Sequence, residues 1–225
     1  MENIFIQRNG FKDFVNKVYA YMGIGLIITA ALALFISLNF ETIILSIGFN
    51  AFSTISIICA LAELVVAIYL SVRIEKVSLS TAKVLFFLYS VLTGLSFGTI
   101  FLTYSLGSIA SAFLVTAVVF ICMSIIGKTT NVDLTKIGNI LLIGLGVCIV
   151  LSIIELFFLH STMLDLIITY IEVVIFLGLT AYDTQKLQAY YNYGENFAVF
   201  GALQLYLDFV NLFLKVLRIF GKRKD

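Results

Sequence analysis

Tryptophan and proline are absent from the 225 residues, histidine occurs once, and only 12% of positions are charged. A water-soluble domain carries about 25% charged residues, so this chain has too little charge to coat a water-facing exterior. The single histidine, His160, excludes a multi-histidine metal centre. Three cysteines, Cys59, Cys122 and Cys148, all lie inside apolar runs. That odd, buried set argues against a disulfide framework and reads as small packing residues. The net charge of +1 offers no argument for a nucleic-acid partner. No Asn-x-Ser/Thr sequon occurs, which fits a bacterial plasma membrane. No serine-protease, nucleotide-binding or metalloenzyme motif is present, so no enzyme and no cofactor are expected. Gly94-Leu95-Ser96-Phe97-Gly98 matches a nucleophile elbow only as a string, because it lies in an apolar segment without the strand-turn-helix context.

What the chain has is apolar length. Hydrophobic residues make up 61% of it, and the mean hydropathy is +1.11. A helix needs about 20 mostly apolar residues to cross the hydrocarbon. Seven segments reach that length, near 18–38, 52–72, 83–104, 107–127, 137–159, 163–183 and 197–220. The first is longer than the apolar core of a cleavable signal and reads as a span. Each must be a helix, because lipid offers no partner to an open strand edge. The expected fold is an all-α integral membrane bundle of seven helices with a central C-terminal helix. Residues 1–17 form an N-terminal tail, 18–221 a single membrane domain, and 222–225 a basic C-terminal tail.

Lys and Arg give the orientation. Arg8, Lys12 and Lys17 precede the first span; Arg73, Lys76 and Lys83 follow the second; Lys128 and Lys136 follow the fourth; Lys186 follows the sixth. The connectors after spans one, three and five carry none. This alternation puts the N-terminus in the cytoplasm. The C-terminal Lys222, Arg223 and Lys224 break it: charge favours a last helix that returns, and its 24-residue length favours a full crossing. Gly94 and Gly98 form a GxxxG step, a device for close helix packing.

The last segment differs from the rest. Gly201, Gln204, Asp208, Asn211, Lys215 and Arg218 recur every three or four residues, a single polar stripe on one face. A polar stripe at bilayer depth faces protein or water rather than lipid; the competing arrangement is an amphipathic helix on the membrane surface. Other in-span carboxylates are Glu63, Glu155, Glu172 and Asp183. Glu172 and Asp183, eleven residues apart, share a face. Asp183 falls at the end of the sixth segment, where taken alone it could be a solvated helix end. Two carboxylates held close do not ionise independently, so an Asp183–Asp208 pair is a candidate pH sensor or cation site. Glu63 and Glu155 read equally as structural groups bonded across helices. Arg73 reads either as a partner for a carboxylate or as a cation snorkelling to headgroups.

Two stretches carry a resemblance. Gly178-Leu179-Thr180-Ala181-Tyr182-Asp183-Thr184-Gln185-Lys186 is similar to the sixth-span signature of the Bax inhibitor-1 family. Leu205-Tyr206-Leu207-Asp208-Phe209-Val210-Asn211-Leu212-Phe213, followed by Leu217-Arg218-Ile219-Phe220-Gly221, is similar to its last-span motif. With the basic, Tyr-containing N-terminal entry and the seven-span layout, the resemblance covers essentially the whole chain and points to the bacterial members. It implies a pH-sensitive calcium leak in a bacterial inner membrane, gated by Asp183 and Asp208. Arg73 is implied as the partner of Asp183 in the closed form, and Glu63 matches the family's second-span glutamate. Gln204, Asn211, Glu172 and Lys215 complete the expected pore-lining or supporting polar set. Calcium and protons are the implied permeant or bound species, alongside the lipid bilayer. The alternative is a regulatory protein that binds another membrane protein, such as a membrane protease. An intramembrane aspartyl protease is disfavoured, because Asp208 follows Leu205-Tyr206-Leu207 rather than a Gly-x-Gly.

Overall fold

The computed structural model describes residues 2–224, and side chains from residue 9 onward. Arg8 therefore lies outside the described side chains. Eight α-helices follow one another: α1 Glu2–Leu38, α2 Phe40–Ile47, α3 Phe49–Arg73, α4 Leu79–Thr103, α5 Leu106–Thr129, α6 Thr135–Ile154, α7 Thr162–Tyr193 and α8 Asn196–Phe220. A π-helical turn, Glu155–Leu159, extends α6 and contains the in-span Glu155. All but α2 are long and apolar enough to cross a membrane, giving seven spans.

The connectors are short and built from local chemistry. Ser78 and Ser105 cap α4 and α5, their hydroxyls accepting from Thr81 N at 3.1 Å and Ser108 N at 3.3 Å. Gly48, at φ 82°, makes the break between α2 and α3 that a residue with a Cβ would resist. Gly194, at φ 118°, ends α7.

Helix ends depart from the sequence expectation in two places. α1 runs through the segment read as an N-terminal tail, and α7 continues to Tyr193 rather than stopping near residue 183. No helix breaker stands between Gly178 and Gly194, so the polar stretch 184–193 simply prolongs the helix. Asp183 is thus ten residues inside α7 and only 7% exposed, and the solvated-helix-end reading is corrected.

The chain divides into two compact units, which share α7 and α8. Unit 1 comprises residues 1–104, 187–206 and 224–225; unit 2 comprises 105–186 and 207–223. In unit 1, α1 packs closely on α4. A Cβ on Gly94 would meet Thr29 O at 3.0 Å, and one on Gly98 would collide with the Ile36 side chain, so the GxxxG step is a packing device. Thr29 Oγ1 shares a 2.5 Å hydrogen bond with Tyr206 OH and donates to Ser90 O, joining α1, α4 and α8. Asn196 Nδ2 donates to Val77 O at 2.6 Å, tying the start of α8 to the α3–α4 connector.

α8 is the most enclosed span: 72% of its most apolar stretch is buried, against 6–39% in the other six. Its neighbours keep rows of Ile, Leu and Val exposed, as lipid-facing surfaces do. The surface-lying arrangement for α8 is thereby excluded.

The C-terminal tail settles which side the chain ends on. Ser105 N donates to Lys222 O at 3.1 Å and Lys222 N to Ser108 Oγ at 3.0 Å. Lys224 N donates to Thr103 O at 2.9 Å. The tail therefore lies at the α4–α5 connector, an odd number of crossings from the start of α1, so α8 crosses fully.

Candidate functional site

The polar stripe of α8 divides by charge. Toward its C-terminal end the cations are answered by α7 within unit 2. Arg218 pairs with Asp165, and Lys215 Nζ lies 2.5 Å from Glu172 Oε2. The Lys215 and Glu172 side chains are 20% and 6% exposed, so this is a largely buried ion pair. Asp165, at the start of α7, did not stand out in the sequence; its spacing of seven from Glu172 was the available signal. Asn211 Nδ2 donates to Leu207 O at 2.8 Å, one turn back along its own helix.

Seven residues from Lys215 along α8, about 10 Å by helical rise, is Asp208. It is 4% exposed, and its Oδ2 has no hydrogen-bond partner among the described residues. Asp183 of α7 is within electrostatic range of it. Neither aspartate is in an ion pair among the described residues. The cation acting on Asp183 within this unit is Lys186, whose Nζ also stands 4.5 Å from the centre of the Tyr182 ring. The structure thus brings the two sequence-predicted aspartates together, buried and, among the described residues, without a counter-cation in contact.

Three further buried hydroxyls of unit 2 were missed by sequence reasoning. Thr116 and Ser124 on α5 and Thr184 on α7 have buried oxygens without partners among the described residues. Thr116 and Ser124 flank Phe120, whose ring meets Phe209 of α8 edge-on at 5.4 Å, so that face of α5 lies against α8. The eight-residue spacing of Thr116 and Ser124 was legible, but a lone Ser or Thr in an apolar helix usually bonds back to its own turn. Thr180 does so, donating to Phe176 O at 2.7 Å.

Small residues let the helices close around this region. A Cβ on Gly127 would strike the Ala181 backbone carbonyl, and one on Gly138 would reach the Tyr182 ring at 2.5 Å. α5 and α6 therefore approach α7 at the two residues before Asp183. Gln185 donates from Nε2 to Val132 O at 2.8 Å and accepts from Leu134 N at 2.9 Å, fixing the α5–α6 connector to α7.

Glu63, Arg73 and Gln204 belong to unit 1. Glu63 is half-buried on α3 and accepts from Ser96 Oγ at 2.6 Å and Thr93 Oγ1 at 3.3 Å. That is the cross-helix bonding expected of a structural carboxylate. Arg73 ends α3, is exposed, and forms no ion pair among the described residues. Gln204 is half-buried on α8.

Comparison with known proteins bears on the whole chain. The family described as "Inhibitor of apoptosis-promoting Bax1" matches residues 11–225. The chain is 42% identical to the inner membrane protein YbhL of Escherichia coli K12 over 234 residues, covering 99% of this chain and 97% of that one. It is 43% identical to a Borreliella burgdorferi protein, with 94% and 93% of the two chains covered. It is 34% identical to a membrane protein of Streptococcus pyogenes serotype M1, with 95% and 94% covered.

Proposed function

Because the chain belongs to the Bax inhibitor-1 family of multi-pass membrane proteins, we propose that it is a pH-sensitive calcium leak channel gated by Asp183 and Asp208. The observation that carries this reading is the Asp208 carboxylate, buried at 4% exposure with an unpartnered Oδ2, next to a second buried aspartate. An ionisable group at membrane depth is expensive and is retained for a function. Two neighbouring carboxylates share a proton more readily than they both ionise. Each change in their proton count alters the charge and hydrogen bonding between α7 and α8, which biases the helix pair between two arrangements.

Calcium suits the donor set. It takes hard oxygen ligands, six to eight of them, and the two carboxylates supply part of that shell. Among the described residues no three acidic, His or Cys side chains converge, so water would provide the remaining oxygens and binding would be weak enough for release. The ion pairs Glu172–Lys215 and Asp165–Arg218 occupy the charged groups beyond the pair, leaving the aspartates as the titrating step. In this reading the protein carries out no enzymatic reaction and sits in an inner membrane, and the distribution of Lys and Arg supports a cytoplasmic N-terminus.

The test is calcium entry into liposomes containing the purified protein, across about pH 5 to 8. Wild-type flux is expected to vary with pH and Asp208→Asn flux to be flat. Folded wild-type protein without flux at any pH would overturn the channel and leave the regulatory reading, to be pursued by crosslinking to membrane partners.

A further inference from the structure

Three consecutive cations, Lys222, Arg223 and Lys224, precede the final Asp225 on the side of the spans where residues 39–48, 104–105 and 160–161 carry no Lys or Arg. Placing cations there runs against the usual bias of membrane topology. All three are exposed, and among the described residues none is in an ion pair. The tail is nevertheless held in place, through the backbone bonds of Lys222 to Ser105 and Ser108 and of Lys224 to Thr103. Lys224 Nζ also donates to Phe101 O at 2.9 Å.

Within unit 2, a groove of about 590 Å³ opens beside this tail. Its mouth is Lys222 with Ser105 and Ser108; deeper along α5 come Ser111 and Val115, faced by Val216 and Phe220 of α8. The Ser108 oxygen accepts from Lys222 N and from Ser105 Oγ, so its own proton is left to donate. From Ser105 to Val115 the groove follows α5 for about 15 Å, half of a hydrocarbon core about 30 Å thick. A cationic, hydroxyl-bearing mouth over an apolar stem one leaflet deep has the polarity of a phospholipid.

We propose that this groove binds an anionic glycerophospholipid. The phosphate sits against Lys222 Nζ and the Ser108 hydroxyl, and Arg223, next in the chain, adds to the positive charge of the tail. One acyl chain lies along Val115, Val216 and Phe220. The charge selects an anionic headgroup over a zwitterionic one, and the stem selects a lipid over a free phosphate. This inference is independent of the leak activity.

The experiment is native mass spectrometry of the full-length protein after incubation with vesicles of phosphatidylglycerol or of phosphatidylcholine of the same chain length. Wild type is expected to retain phosphatidylglycerol preferentially. The Lys222→Gln/Arg223→Gln variant, which leaves every backbone bond of the tail intact, should lose that preference by roughly five-fold per cation removed. Lys222→Arg should keep it. Ser111→Phe, which fills the stem and keeps the cations, should lose the bound lipid while its thermal unfolding stays cooperative. Equal retention of the two lipids by wild type, or undiminished phosphatidylglycerol on the double variant, overturns the site. Displacement of the lipid by equimolar glycerol phosphate overturns the lipid as occupant.

Discussion

Glu172 and Lys215 show what a buried charge demands of its neighbours. Breaking a buried ion pair by removing one partner strands the other charge at a cost of about 3–5 kcal/mol, whereas replacing both by apolar or neutral groups is often close to neutral. Lys215→Met alone is therefore expected to lower the unfolding midpoint strongly, and Glu172→Gln with Lys215→Met to recover most of the loss, as measured by thermal unfolding in detergent. Gly127 sets a second residue-scale expectation. A methyl there meets the Ala181 backbone, which cannot swing aside as a flexible side chain would. Gly127→Ala should cost about 1–3 kcal/mol, whereas Gly146→Ala, with nothing within 4 Å, should be tolerated. The sequence marked Lys215 and Arg218 as members of a polar stripe because helical periodicity reports a face. It could not assign their partners, since that needs the register of α7 against α8. Asp183 and Asp208 were legible for a different reason: carboxylates this deep in apolar helices are costly wherever their partners lie.

At the scale of elements, the spans were legible and their ends were not. Lipid requires a continuous apolar helix, and the seven runs announce themselves; water makes no such demand, so α1 and α7 continue past the hydrocarbon wherever the residues favour helix. α2 is an eight-residue helix inside what reads as a connector. The prolonged helices α1 and α7 bring Lys17 to Glu195 at 2.6 Å in unit 1. Lys17, hydrogen-bonded to it, holds the Glu195 carboxyl below the usual carboxylate range. Because the folded value is lowered, this stabilisation is fully present above the unfolded value of about 4.3 and disappears as pH falls through the lowered one. The pair is exposed, so its effect is small. Glu195→Gln is expected to lower the unfolding temperature slightly at pH 7 and to leave it unchanged at the acid end of a pH series.

For the whole molecule, the tail bonds to the α4–α5 connector require the two termini on opposite sides of the membrane. Charge counting alone left the C-terminal side open, because the basic tail pulls against an odd number of crossings. Fusions of a reporter that is active only in the cytoplasm should give signal at the N-terminus and none after residue 225; signal at both ends would mean α8 turns back.

The central claim, that Asp183 and Asp208 titrate as one unit, is tested most directly by a double-mutant cycle on the pH profile of calcium flux in liposomes. Wild type, Asp183→Asn, Asp208→Asn and the double variant are compared. A shared proton predicts that each single variant flattens the profile and that the double adds nothing further. Independent, additive shifts from the two substitutions, or a pH-dependent flux that survives in the double variant, would contradict it.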